Sequence, residues 1–529
     1  MKTKKKLAVR LYDAIFPPKT GHKRRFQAGR VTRLNADWTT QNTTANYDLR
    51  NDLATLRARS REAAHNHGHF RKFLGLTVAN VIGSKGILLQ PNARGGDGSL
   101  NVDLNRRVLE AWKRWGHKET CTVSGKLDWL GVQRLVVTQL ARDGEFLVQK
   151  VEANNPFGFS LKVWDVNWLD ETFEMNVQGG NRVIMSIEVD DNDKPVAYWL
   201  TPPNEFGYSQ RRDRQRRRIP ASEMIHGFLV TEDETQVRGL PWGHAALIEE
   251  NDLKSYKRGV SDVARMATHN LYNVEQELAD GEEYTGEESD DGTAQPPVID
   301  TRRMSVNILP PGYKMTMLKP EQPTQNHSAY VKTCLMDVAT ALGVPYFLLA
   351  GDMEAVNFSS SRVGLDDARE IWKGIQDFMA VHFCREVFHA WARSAIFNGG
   401  LKVKAREYYE IHNPAWRARG WKYIDPTKDA NADIARLENN LTTWTDVLNE
   451  QGIDLIELLE KRKAEIELAA QYGITLAIAP KQAAPAAVPA EPDEDDAGDD
   501  NPDDTGVSDA ADDPPKRELT NGHGIELIN

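Results

Sequence analysis

Apolar residues along this chain follow two spacings, and the switches between them mark out the elements. Leu49, Leu53 and Leu56 recur every three or four residues, as do Phe70, Phe73, Leu74, Val78 and Val81. Residues 47–82 therefore read as two helices broken near Asn66-His67-Gly68. Gly83-Ser-Lys-Gly86 ends the second, and Ile87–Gln90 reads as a strand. Helices at 102–116 and 128–142 follow, then a turn at Arg142-Asp143-Gly144-Glu145. Alternation takes over in Phe146–Val151, Phe159–Val166, Val183–Val189 and Val196–Leu200. This half predicts an α+β domain with a mostly antiparallel sheet.

Helical spacing returns in 246–278, through Leu253, Tyr256, Val260, Val263, Ala267, Leu271, Val274 and Leu278, with no proline between. One helix of that length is about 50 Å long, and its single apolar stripe needs a second helix beside it. Residues 279–296 are acidic and Gly-rich and read as a loop. A small β-segment follows (Val298-Ile299, Ser305–Leu309), then the turn Pro310-Pro311-Gly312 and the strand Lys314–Leu318. A helix at 326–342 carries Val331, Cys334, Leu335, Val338 and Leu342, with Asn326 as N-cap, Gly343 as C-cap and Pro345 just beyond. The pattern is an arm that goes out and comes back. Residues 350–362 read as a polar loop. A helix from Leu365 to Phe397 follows, with Gly364 and Gly374 as sites for a bend. A short strand region at 401–411 and helices at 427–449 and 453–472 complete the pattern.

The length of 529 residues predicts about three or four domains. The net charge of −11 sits entirely in the tail: Lys481–Asn529 holds 14 acidic against 3 basic residues, which leaves the first 480 balanced. Residues 480–529, Ala/Pro-rich then Asp-rich, carry a disorder signature. Residues 1–35 form a basic arm, read either as a nucleic-acid or acidic-partner contact or as a solvated tail. Arg10 and Asp13 interrupt its brief resemblance to a signal peptide. No apolar run reaches transmembrane length, so a soluble protein assembled in the cytoplasm, with no membrane partner, is expected. Cys121, Cys334 and Cys384 lie too far apart in sequence for a CxxC or zinc pattern, and read as reduced thiols.

The chain lacks a GxxxxGK[ST] phosphate cradle, GxSxG, HExxH and GxGxxG. Gly83-Ser84-Lys85-Gly86 has the wrong spacing. His65-Asn-His67-Gly-His69 lacks a supporting Cys or carboxylate cluster and reads as a polar helix break rather than a zinc site. No catalytic residues, metal or cofactor are expected. Six arginines in eight residues, Arg211, Arg212, Arg214, Arg216, Arg217 and Arg218, form a loop that either grips phosphate or is exposed beside acidic neighbours.

Four blocks carry a resemblance over residues 45–475. They are Arg57-Ala-Arg59-Ser-Arg61-Glu with Asn66, Gly68 and Val78-Ala-Asn80-Val-Ile-Gly83-Ser-Lys-Gly86-Ile; Arg142-Asp-Gly144-Glu145; Glu223-Met-Ile-His226 with Gln236-Val-Arg238-Gly239-Leu-Pro241; and Ala341-Leu-Gly343-Val-Pro345-Tyr with Asn357-Phe-Ser359-Ser360-Ser361. Ile424-Asp425-Pro426 and Ala432 extend it. In order and spacing the chain resembles the lambda-type family of phage portal proteins. The resemblance implies a portal-type multidomain subunit: a wing (36–245 and 363–425), stem helices (246–278 and 326–345), a small β clip (279–325), a tunnel loop (350–362) and a helical crown (426–475). It further implies a homo-oligomeric ring, usually of twelve subunits, at one capsid vertex of the virion. That ring passes double-stranded DNA in packaging and ejection. Its implied partners are the terminase large subunit, a head–tail adaptor, and major capsid and scaffold proteins. Asn357, Phe358, Ser359, Ser360, Ser361 and Arg362 would face the DNA. Two alternatives stay open: a packaging-associated ATPase or nuclease, and a non-portal DNA-binding protein using the basic arm and arginine loop.

Overall fold

A computed structural model describes Arg33 and residues 39–474, apart from 96–100, 178, 203–214, 269–270, 277–286, 289–293, 296–312, 319–325, 355–357, 405–406, 422–425 and 452. The basic arm 1–35 (Arg33 aside), the β-segment at Val298-Ile299 and Ser305–Leu309, and the acidic tail 480–529 thus lie outside the described residues. The chain divides into two compact units, 1–460 and 461–529. In the second, the described residues are mainly the last turns of a helix that begins at Leu455.

Helices α1 (Ala45–Asn66) and α2 (Gly68–Val81) meet at His67, where the backbone is extended, as the sequence pattern predicts. Strand β1 (Leu88–Gln90) follows, then α3 (Val102–Trp115) and α4 (Trp129–Asp143). Each of these helices starts where a side chain accepts from its first turn: Asn101 from Leu104 N, Asp128 from Gly131 N. Gly144 stops α4 in the left-handed conformation, φ +88°.

The strands are β2 (Glu145–Glu152), β3 (Phe159–Trp164), β4 (Met175–Asn176), β5 (Arg182–Ile184), β6 (Ile187–Val189), β7 (Pro195–Leu200), β8 (Arg217–Pro220) and β9 (Met224–Phe228). They form a three-stranded sheet, β3-β2-β9, and a five-stranded meander, β4 to β8, with every ladder antiparallel. The expected strand Val183–Val189 is in fact a tight hairpin. Met185 and Ser186 adopt positive φ and turn the chain between β5 and β6.

Beyond the sheets come α5 (Leu247–Thr268), β10 (Leu271–Gln276), the short pair β11 (Glu287–Glu288) and β12 (Ala294–Gln295), β13 (Tyr313–Leu318), α6 (His327–Ala341) and α7 (Tyr346–Ala350). Next, α8 (Phe358–Met379) passes through a π-helical segment, Ala380–Cys384, into α9 (Arg385–Phe397). Strand β14 (Ala415–Arg417) and helices α10 (Pro426–Glu438), α11 (Trp444–Glu450) and α12 (Leu455–Gln471) end the described chain.

Two expectations here are corrected. The strand falls at 415–417, where it pairs with β1, rather than at 401–411. The helix expected over 427–449 is two, because Asn440 takes positive φ between them and Thr443 caps the second. Packing is dominated by aromatics. Trp112 lies against Trp115, Trp129 and Trp391 at 4.7, 5.3 and 5.0 Å, which joins α3, α4 and α9. A second core, with Leu53, Leu147, Trp164 and Ile187, ties α1 to both sheets.

Candidate functional site

The out-and-back arm starts from a firm base. A Cβ at Gly243 would come within 2.2 Å of the Phe70 ring, so only glycine lets the chain cross α2 at the foot of α5. His69 Nδ1 lies 3.2 Å from Glu250 Oε1, and Lys254 Nζ is 3.2 Å from His67 Nε2 and 3.4 Å from Glu62. The alternating histidines thus do not converge: His65 is exposed, while His67 and His69 reach α5. Among the described residues no group of three or more side chains is placed to hold a metal.

Higher up, Tyr256 of α5 stacks on His327 of α6 at 5.5 Å and meets Tyr330 edge-on at 4.7 Å. The two helices are thus neighbours, as the facing stripes predict. The outbound helix is shorter than 246–278, however. It ends at Thr268, and Leu271–Gln276 forms a strand pairing antiparallel with Tyr313–Leu318, from Leu271 opposite Leu318 to Gln276 opposite Tyr313. Leu271 and Val274 fit a helical stripe and a strand equally well, and cross-strand pairing decides between them.

The polar loop expected over 350–362 is also shorter. Helix α7 ends at Ala350, capped by Gly351 at φ +75°, and α8 begins at Phe358, so Phe358, Ser359, Ser360, Ser361 and Arg362 belong to a helix. Asn357 lies outside the described residues. Arg362 donates to Asp429 of α10 at 2.8 Å.

Of the arginine loop, Arg211, Arg212 and Arg214 lie outside the described residues. Arg216 pairs with Asp170 at 3.4 Å and its guanidinium covers the Phe173 ring at 4.0 Å. Arg218 grips Glu188 through two nitrogens, at 2.8 and 2.9 Å. Arg217 is exposed. Within the described part, the reading of arginines beside acidic neighbours describes Arg216 and Arg218.

A buried ionic cluster, missed in the sequence reading, is built from three of the resembling blocks. Arg57 continues the apolar stripe Leu49-Leu53 into the core, fully enclosed. Its Nη1 donates to Glu171 at 3.0 Å, its Nε to the Asp143 carbonyl at 3.1 Å, and its Nη2 to Glu145. Arg238 donates to Glu145 from Nη2 at 2.7 Å and to the Met185 carbonyl from Nη1 at 3.0 Å. The Glu145 carboxylate also meets His226 Nε2 at 3.0 Å and accepts from Gly239 N at 3.0 Å. Arg61 bridges Asp143 and Asp165 at 2.8 and 2.7 Å, and Arg142 donates to Asp143 at 2.6 Å.

Burial alone pushes the Glu145 carboxyl up. Arg238 and Arg57, with His226, override that and hold it well below its ordinary value. Burial lowers Arg57 in spite of Glu145, whereas Glu145 overcomes burial at Arg238 and raises it. Four guanidiniums (Arg57, Arg61, Arg142, Arg238) balance four carboxylates (Asp143, Glu145, Asp165, Glu171). These charges cancel, and the cluster serves as a joint that ties α1, α4, β2 and the segment leading to α5. Backbone contact locks it: a Cβ at Gly239 would fall 2.1 Å from the Gly144 carbonyl oxygen.

The family profile described as phage portal protein, lambda family, matches residues 31–376. The chain belongs to the lambda family of phage portal proteins. As a portal protein it forms the channel for double-stranded DNA at the capsid vertex, in packaging and in ejection. It is 30% identical over 490 residues to the probable portal protein of Halomonas phage phiHAP-1, covering 92% of this chain and 94% of that one. It is 21% identical over 393 residues to portal protein B of Escherichia phage lambda, covering 68% and 73%. Among solved structures, it is similar to a chain in the neck of an empty GTA particle (TM-score 0.41, 12% identity, 80% of this chain and 99% of that one). It is also similar to a chain of the virion of a native gene transfer agent particle (TM-score 0.39, 12% identity, 76% and 93%). The portal family is a structural one. No helix among the described residues of this portal protein is long and apolar enough to cross a membrane.

Proposed function

We propose that this portal subunit closes head-to-tail with further copies into a ring, of twelve subunits in the virion. Its bore is lined by the out-and-back arm of α5, β10, β13 and α6. The observation that carries this reading is the arm itself, two neighbouring helices prolonged by a paired strand and rooted on a charge-balanced joint. A heterologous interface that closes makes a ring. Apolar side chains on the arm, Ile248, Met266 and Met336, are exposed within one subunit and suit burial against a neighbouring copy. The tip of the arm, in residues 279–325, meets the terminase large subunit during packaging and the head–tail adaptor afterwards. The outer surface contacts capsid and scaffold proteins.

The segment Asn357–Arg362 lies nearest the DNA and checks its slippage. No catalytic step is assigned to the chain. Negative-stain imaging of the purified protein is expected to show rings with a central hole, and a compact monomer under assembly conditions refutes the reading. Deleting 355–361 is expected to leave rings intact and impair packaging or DNA retention. Purified rings hydrolysing nucleotide or DNA unaided overturn the non-catalytic assignment.

A further inference from the structure

A cleft of about 1110 Å³ lies between the C-terminal end of α2, α4, α8 and the 417–421 segment. It is lined by five basic side chains, Lys85, Arg134, Arg369, Arg417 and Arg419, and no aspartate or glutamate stands among its described lining residues. In a body whose first 480 residues sum to zero charge, that is a strong local imbalance. Two carboxylates lie near these cations without lining the cleft. Asp366 pairs with Arg369 at 3.0 Å, and Asp454 sits 3.6 Å from Arg417 and also holds Gln90.

The cations are held in place by the fold. The Gln376 amide donates to the Arg419 carbonyl at 3.1 Å and to Asn80 O and Val81 O. Asn80 Oδ1 accepts from Arg419 Nη1 at 3.1 Å and from Trp421 Nε1 at 3.0 Å, and the Arg419 guanidinium also bonds the Ala79 carbonyl. The Arg419 stem runs over Gly83, where a Cβ would lie 2.8 Å from its Cδ and the φ of +68° excludes other residues without strain. Arg134 donates to the Gly83 carbonyl at 3.0 Å. Arg369 and Arg419 stand 5.7 and 5.9 Å from the same Trp421 ring. Burial and then the Arg369 charge depress the Arg419 guanidinium. Two like charges fixed around one indole, with lysine and arginine beside them, make a pre-set anion receptor.

We propose that this cleft is a phosphate-binding site for the sugar–phosphate backbone of double-stranded DNA. The proposal rests on the portal reading, which supplies the polyanion. Several observations select that ligand. The cleft is far larger than a single phosphate ion. The Trp421 ring is taken by two guanidiniums and stacks on Trp372 at 6.3 Å, so no open aromatic face is offered to an unstacked base as single-strand binders require. Guanidiniums and a lysine reading charge along a backbone carry no sequence information, as a conduit for any genome needs. The resembling run Asn80 to Gly86 thereby acquires a job: it shapes this cleft.

The test uses the full-length protein and a fluorescent 20-base-pair duplex, with anisotropy read across a salt series. Lys85 is exposed on a turn, so Lys85→Gln leaves the fold alone, and Lys85→Gln/Arg369→Gln removes two charges while keeping the Asn80–Arg419–Trp421 frame. Each lost phosphate contact is expected to flatten the slope of log affinity against log salt by about 1. Duplex is also expected to protect Lys85 from acetylation, a readout that needs no variant. Competition with inorganic phosphate and with an Asp-rich peptide separates other anions from DNA. Unchanged slopes in both variants, unprotected Lys85, or displacement by the peptide with none by duplex overturns the assignment. Rings seen by negative stain in the same samples keep the portal reading standing when the cleft assignment fails. Their absence from the wild type sinks that reading separately.

Discussion

Replacing Glu145 with glutamine keeps shape and removes one charge from the sealed joint. The wild-type carboxylate is fully enclosed and holds Arg238, Arg57, His226 and the Gly239 amide. The loss falls unevenly. Arg57 keeps Glu171 at 3.0 Å and the Asp143 carbonyl. Arg238, also fully enclosed, loses its hydrogen-bonded carboxylate; the carbonyls of Met185 at 3.0 Å and Leu169 at 3.4 Å remain, and Glu171 and Asp170 act on it only at longer range. An uncompensated buried charge costs about 3–5 kcal/mol, and that is the expected destabilisation at pH 7, read from the urea midpoint by tryptophan emission. The pH dependence carries a definite sign. Because the folded-state value lies well below the ordinary 4.5, the contribution of Glu145 is fully present above about pH 4.5 and is lost as pH falls toward the folded value. The gap between wild type and Glu145→Gln should therefore narrow in acid. A variant within about 1 kcal/mol of wild type at pH 7, or a gap that stays constant down to pH 3, refutes the account.

Gly144→Ala is expected to destabilise by at least about 2 kcal/mol, since φ is +88° and the new Cβ would lie 2.4 Å from the Leu240 carbonyl carbon. Gly125→Ala, at φ +64° with nothing within 4 Å, should cost about 1 kcal/mol. Equal urea midpoints for the two refute the close-approach argument. Burial pushes the Cys121 and Cys384 thiols up, whereas Cys334 is half-buried. Alkylation of the unassembled native chain at pH 8 should label Cys334 alone on a fast timescale, as read by mass spectrometry. Rapid labelling at Cys384 contradicts the packing described.

Much of the fold was legible because local spacing and tertiary packing agree. The helices of 45–81 and the returning helix at 327–341 bury most of the stripe that predicted them, with Leu56, Val78, Val331 and Cys334 half-buried. Legibility failed where a pattern serves two geometries. Leu271 and Val274 suit a helix of period 3.6 and a strand of period 2, and only the distant partner Tyr313–Leu318 resolves the choice. The start of α8 was misplaced because serines read as loop while they also open helices. The charged joint was invisible for another reason. Arg57, Glu145 and Arg238 are far apart in sequence, and each alone looks like a surface residue. The available hint was Arg57 following Leu49 and Leu53 on the core-facing side of its helix. The cleft was hidden in the same way: Gly83-Ser84-Lys85-Gly86 looked like a failed nucleotide loop, and its arginine partners arrive from 134, 369 and 419.

The π-helical segment at Ala380–Cys384 has a consequence for rotational phase. Nineteen residues separate Trp372 from Trp391, and an uninterrupted α-helix would set them about 100° apart around its axis. A single π turn absorbs one surplus residue and brings both indoles, each buried, onto the same side of the rod. The long helix can therefore seat Trp372 near Trp421 at one end and Trp391 against Trp112 at the other. Removing the surplus residue would leave a regular α-helix with the two indoles still in phase, whereas removing two would misalign its halves like a misindexed gear.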